Sequence, residues 1–166
     1  MRRSLLLDAD VVIDLHTLGL FGKISRAYDI CLTQDVFFEA KYYKKDGIKI
    51  DIDFKHVVII QNIDLEILRE VRREAKEARL GIGPGESTSI AYLIQTDEEI
   101  TFCSCDRAAI KLISYMELEQ KAISLEKTLR SAGYHSKNLY PRHFEKTFRA
   151  AVKEGKTLRI QFKKFV

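Results

Sequence analysis

The run Leu5-Leu6-Leu7 offers no polar face, and Asp8 cuts it short. An apolar run this brief, bounded by a polar residue, reads as a buried strand. Asp8 and Asp10 therefore stand at the end of an apolar element. A carboxylate there needs water, a partner or a cation, because burying it alone is costly.

The rest of the chain repeats the theme. Val11, Leu15 and Leu18 recur at helical spacing across residues 11–28. Ile30-Cys31-Leu32-Thr33 reads as a second buried strand, with Thr33 capping a helix that starts at Gln34. Asp46-Gly47 signals a turn, and Ile48, Ile50, Ile52 and Phe54 alternate with polar residues as in a half-exposed strand or hairpin arm. Residues 56–60 read as another buried strand. Asp64 caps a helix over 64–80 with a stripe of Leu68, Val71, Ala75 and Ala78. Its Glu and Arg residues read as a solvated, ion-paired face.

Residues 81–85, Gly-Ile-Gly-Pro-Gly, end that helix and open the next, over 86–95. A strand is expected at 100–104, a helix at 106–114, a short strand at 121–125, and a helix over 124–131 that Gly133 stops. Further on, Phe144, Phe148, Ala151 and Val152 share one helical face, which core packing and a dimer contact explain equally well. Residues 157–162 read as a closing extra strand. Alternating strands and helices point to an α/β sandwich with a mostly parallel sheet. In such sheets sites form outside the carboxyl ends of the strands.

The length of 166 residues, without repeat or linker, is read as one domain over 1–166. A hydrophobic share of 46% suffices for a core, and the net charge of +4 favours a polyanionic partner only mildly. Cys31, Cys103 and Cys105 are odd in number and read as reduced thiols. Cys103 and Cys105 lack the further Cys or His pair that a structural zinc site needs, and are read as strand residues facing opposite sides. Asp8 ends the first apolar run too early for a secretory or membrane-spanning segment, so the expectation is a cytoplasmic protein without a membrane partner.

Three further acids fall at element junctions: Glu39 after the second strand, Glu86 in the first turn of a helix, and Asp106 directly after residues 100–104. Singly, each is explained by helix capping or by exposure. Together with Asp8, on one edge of a parallel sheet, they would repel one another and raise their pKa values unless a cation intervened. Oxygen-only donors suit Mg²⁺ or Mn²⁺ and argue against zinc.

These segments resemble the PIN domain, a fold of many metal-dependent ribonucleases. The likeness lies in Asp8-Ala9-Asp10 after the first strand, Glu39 on the helix after the second, Gly85-Glu86 before a helix with Ile90 and Ala91, and Ser104-Cys105-Asp106 closing a later strand. Ser104 stands where Thr is more usual, Cys105 where some relatives carry another Asp, and residues 44–54 exceed what a compact member needs. The resemblance implies a three-layer α/β/α sandwich with a mostly parallel central sheet, and divalent-metal-dependent hydrolysis of RNA phosphodiester bonds. Asp8, Glu39, Glu86 and Asp106 would be the catalytic, metal-holding acids, with Asp10, Ser87, Thr88 and Ser104 supporting them. It also allows for an antitoxin partner, the chain being the toxin of the pair, and for a homodimer. The basic residues nearest in sequence for RNA are Lys41, Lys44, Lys45, Arg107 and Lys111. Tyr42 and Tyr43 are candidates for base stacking. His16, His56, His135 and His143 are read as surface or packing residues.

Two other classes compete. Asp8-x-Asp10 after a strand is also similar to the haloacid-dehalogenase-type phosphatases, with Asp8 as nucleophile and Asp10 as acid/base; that reading leaves Glu39 and Glu86 unexplained. A PIN-like module without catalysis, binding RNA or protein, is the other, and the retained acids argue against it.

Overall fold

Strand β1 (Arg3–Leu7) sends alternate side chains into two separate apolar clusters. Leu5 and Leu7 join Ile30, Leu32 and Cys103 on one face; Leu6 joins Cys31, Ile100 and Phe102 on the other. A strand buried on both faces has no place for a polar side chain, which is why the leucine run is unbroken. The computed structural model describes residues 2–163.

The order along the chain is β1, α1 (Ala9–Thr17), α2 (Phe21–Ala27), β2 (Tyr28–Thr33), α3 (Gln34–Glu39), β3 (Tyr42–Lys45), β4 (Ile48–Asp51), β5 (Val58–Ile60), α4 (Leu65–Glu77), α5 (Pro84–Gln95), β6 (Ile100–Cys103), α6 (Arg107–Tyr115), β7 (Ala122–Ile123), α7 (Leu125–Ser131) and α8 (Glu145–Phe162). The central sheet has five strands in the order β5-β2-β1-β6-β7, and every pairing in it is parallel. Val11, Val12 and Leu15 of α1, Val36 of α3 and Leu125 and Leu129 of α7 cover one face. Leu68 and Val71 of α4, Ile90 and Leu93 of α5 and Leu112 and Ile113 of α6 cover the other. The chain is thus an α/β protein with helices on both faces of a parallel sheet.

The strand order sets the position of the site. From β1 the chain moves outward through β2 to β5, then returns to the opposite side of β1 with β6 and β7. The seam between β1 and β6 is the switch point, the place where ligand sites form in sheets of this kind. Asp8 follows β1 directly, and its N–H donates to the Cys103 carbonyl at the end of β6 at 3.1 Å.

Local signals hold where only near neighbours matter. Asp64 caps α4 through the Glu66 and Ile67 N–H groups, and Thr33 caps α3 through Val36 N–H. Asp46 and Gly47 both take positive φ, 52° and 76°, making the two-residue turn that joins β3 to β4. The segment 44–54 is thus largely an antiparallel hairpin lying outside the main sheet.

Several expectations are corrected. Residues 11–28 form two helices, because Gly19 at φ +69° breaks the first. β5 is an edge strand with Val58 62% exposed, not a buried one. Residues 157–162 are not a strand but the end of α8, whose Leu158 and Phe162 pack on the cluster under α4 and α6. Phe148, Ala151 and Val152 of α8 pack on Ile110, which assigns that stripe to the core; Phe144, before the helix, stays exposed. Cys103 and Cys105 enter the same cluster, as residues two apart must when the chain stays extended. Glu74, on the supposedly solvated face of α4, is buried and paired with Lys163.

Candidate functional site

Asp8 is the innermost acid, 2% exposed. Oδ1 accepts the Ala9 N–H at 2.8 Å and so caps α1; Oδ2 accepts the Ser104 hydroxyl at 2.8 Å. The same hydroxyl oxygen accepts the Asp106 N–H at 3.1 Å, and Asp106 Oδ1 caps α6 through Ala109 N–H at 2.8 Å. Ser104 therefore ties the acid after β1 to the acid after β6 across the switch point.

Glu86 and Glu39 arrive from α5 and α3. Glu86 turns back to the N–H of Gly83, at 2.6 Å, as a residue in the third helical position can. Glu39 Oε1 accepts the N–H of Gly85 at 3.1 Å, joining α3 to the first turn of α5. A methyl group on Gly85 would sit 3.0 Å from Glu39 Oε1 and 3.1 Å from Val36, so glycine is what admits this approach.

The charges press on one another. Burial first, then repulsion from Glu86 and Asp10, pushes the Asp8 carboxyl up to about 7, against the hydrogen bonds from Ser104 and Ala9. Burial also raises Glu39; the Gly85 N–H pulls it back, and Glu86, Asp35 and Asp10 add repulsion. Asp10, exposed in the first turn of α1, acts on the site through its field.

Oxygen atoms are the only donors in this group. Among the described residues, Glu39 Oε2, Glu86 Oε1 and Asp106 Oδ2 have no protein donor, so each outer acid keeps a free oxygen. That donor set and the raised Asp8 suit a hard divalent cation in chemistry and charge. The acids do not form a finished cage: among the described residues, no three or more His, Cys, Asp or Glu side chains converge closely enough to hold an ion as they stand. Glu39 and Glu86 are each committed to a backbone N–H instead.

Some expected supports lie elsewhere. Ser87 and Thr88 do not hold the acids. Ser87 donates to the carbonyls of Gly83 and Pro84, and Thr88 to Pro84, Gly85 and the Thr33 hydroxyl. Hydroxyls in a first helical turn readily back-bond in this way. Arg107 and Lys111, the basic residues that follow Asp106, both pair with Glu154 of α8. Lys41, Lys44 and Lys45 are exposed on and before the hairpin.

Two further features stand out in the structure. His143 is fully buried, with Nδ1 accepting the Tyr140 N–H at 3.0 Å and Nε2 2.7 Å from Asp14 Oδ2. With Nδ1 occupied by a donor, Nε2 carries the proton and donates to Asp14. Arg142 meets the same carboxylate through two nitrogens at 2.9–3.0 Å. Asp14 lies one turn beyond Asp10 on α1, so this cluster fastens that helix to the chain leading into α8. The other feature is a cavity of about 410 Å³ lined by Arg72, Lys76, Gly83, Pro84 and Ser87, at the start of α5, the helix that carries Glu86. No local pattern marks either one.

No family model, curated protein or solved structure matches this chain. No helix among the described residues is long and apolar enough to cross a membrane.

Proposed function

We propose that the chain is a PIN-like, divalent-metal-dependent endoribonuclease acting at the seam between β1 and β6. The observation that carries this reading is the Asp8–Ser104–Asp106 link at the switch point, with Glu86 pressing on Asp8 and Glu39 bonded to the turn before Glu86. Asp8, Glu86 and Asp106 would hold Mg²⁺ or Mn²⁺, with Glu39 a fourth holder or the group that orients the attacking water. When bound, such an ion supplies activation of water and neutralises charge on the phosphate.

The chain's own residues have separable tasks. Asp8 is the fixed anchor, since both its oxygens are already oriented. Ser104 positions it. Glu39 and Glu86 would each offer the oxygen that the backbone N–H leaves free. An acid as raised as Asp8 takes up a proton near neutrality in the metal-free protein, and so competes with metal binding below that pH. A toxin role with an antitoxin partner, and a cytoplasmic setting, belong to the same proposal through the family likeness.

The test is cleavage of labelled RNA with Mn²⁺ and with EDTA, repeated with Asp8→Asn. Metal-dependent cleavage that the variant abolishes supports the nuclease. Hydrolysis of small phosphoesters through a phosphoryl group on Asp8 would replace it with the phosphatase reading, and RNA retention without cleavage would leave a binding module.

A further inference from the structure

The hairpin β3–β4 begins within three residues of Glu39, so Tyr42 lies no more than about 11 Å from it along the chain. Its two faces differ. Tyr43 turns inward, stacking on His16 at 5.4 Å between ring centroids and packing on the core. The opposite face carries Tyr42, Lys44, Lys49 and Asp51, with Lys44 directly across from Lys49. Like charges in that position destabilise a strand pair.

Among the described residues no carboxylate pairs with them, nor with Lys41 or Lys45. Residues 41–51 hold four lysines against two aspartates, Asp46 at the turn and Asp51 at the base. Two aromatic rings stand out beside the lysines: Phe38 is 52% and Tyr42 41% exposed. Lys49 Nζ lies 3.7 Å from the Tyr42 ring centre, and Lys41 Nζ 5.5 Å from that of Phe38. Exposed rings alternating with lysines that have no carboxylate partner match a strand of stacked bases and phosphates. An acidic protein segment would use the lysines but leave the rings without partners.

We infer that the outer face of the β3–β4 hairpin, with Phe38, is a docking platform for single-stranded RNA leading to the acidic site. Phe38 and Tyr42 stack bases, and Lys44 and Lys49 together clamp the phosphates. The inference rests on the nuclease reading for the direction of the strand, but its binding test does not require cleavage.

The experiment is fluorescence anisotropy in EDTA with a labelled oligouridylate, a duplex RNA of equal length, and polyglutamate as competitor. The wild type is expected to prefer the single strand. Lys44→Ala with Lys49→Ala lowers affinity about tenfold at moderate salt and reduces the slope of log K against log salt by about 1.4, the share of two phosphates. Phe38→Ala with Tyr42→Ala lowers affinity by about 30-fold or more, at ~1–3 kcal/mol per stacked base, and leaves that slope unchanged. All four side chains are exposed, and circular dichroism verifies that each variant is folded. Wild-type affinity and slope in both variants overturns the inference, as does equal binding of duplex or displacement by polyglutamate at matched charge. Hairpin-dependent binding without cleavage by the wild type in Mn²⁺ upholds the platform and removes the nuclease. Cleavage with hairpin-independent binding does the reverse.

Discussion

Ser104 donates its hydroxyl hydrogen to Asp8 at 2.8 Å across the seam of two parallel strands. It also accepts the Asp106 N–H, so one small side chain sets the relation between two acids. Ser104→Ala is expected to reduce RNA cleavage by about 10–100-fold, the usual cost of losing a group that orients a ligand. The Ser104 bond lowers the Asp8 pKa, so its loss also moves the acid limb of the pH–rate profile toward higher pH. Ser104→Thr, which keeps the hydroxyl, restores the rate. A pH–rate profile of all three proteins checks this.

Asp8 is costly to the metal-free fold. Its carboxyl is raised to about 7 from an ordinary 3.8, so the folded protein holds this proton more tightly than the unfolded chain does. The Asp8 contribution is therefore most favourable below about pH 4, declines as pH rises through 7, and stays reduced above it. Asp8→Asn should raise the denaturation midpoint in EDTA at pH 8 by several degrees and change it little at pH 4. Thermal melts at the two pH values measure this.

The Asp14 carboxylate behaves in the opposite sense. Burial raises it, but the bonds from His143 and Arg142 outweigh burial and hold it below the usual carboxylate range. Its contribution is present above the unfolded pKa near 3.8 and is lost as pH falls through the lower folded value. Asp14→Asn should cost about 2 kcal/mol at pH 7, the scale of a hydrogen bond to a charged group. The gap between wild type and variant narrows below pH 3.8. Denaturant titrations at pH 7 and pH 2.5 provide the comparison.

Gly155 lies in the middle of α8, where alanine would ordinarily gain about 1 kcal/mol. Here a methyl group would run into the Lys111 carbonyl and come within 2.7 Å of Ser114 Cβ, because α8 crosses α6 at this point. Overpacking costs about 1–3 kcal/mol, so Gly155→Ala should lower stability despite its better helix propensity. Thermal melts of the variant decide the sign.

Removing Glu154 tests whether basic groups near Asp106 are withheld from RNA. Glu154→Ala frees Arg107 and Lys111, and should strengthen RNA binding at low salt with an effect that fades as salt rises. Binding isotherms at two ionic strengths check it.

Features that depend on residues within a turn of one another are written in the local sequence. Thr33, Asp64, Asp106 and Ser124 each cap the helix that follows, and Asp46-Gly47 makes its turn, because capping and turn geometry are satisfied within four residues. The unbroken leucines of β1 and the acid after them were legible for the same reason. Tertiary structure decided the rest. Residues 157–162 alternate like a strand, yet they stay helical because Leu158 and Phe162 find a cluster to cover and Arg159 reaches the Tyr115 carbonyl at 2.7 Å. Asp14 meets His143 across 129 positions, and Arg107 meets Glu154 across 47, and no local pattern encodes either distance. The acids were visible as residues at strand ends, but which of them share a hydroxyl depended on β6 lying beside β1, and which repel depended on where α5 sets Glu86.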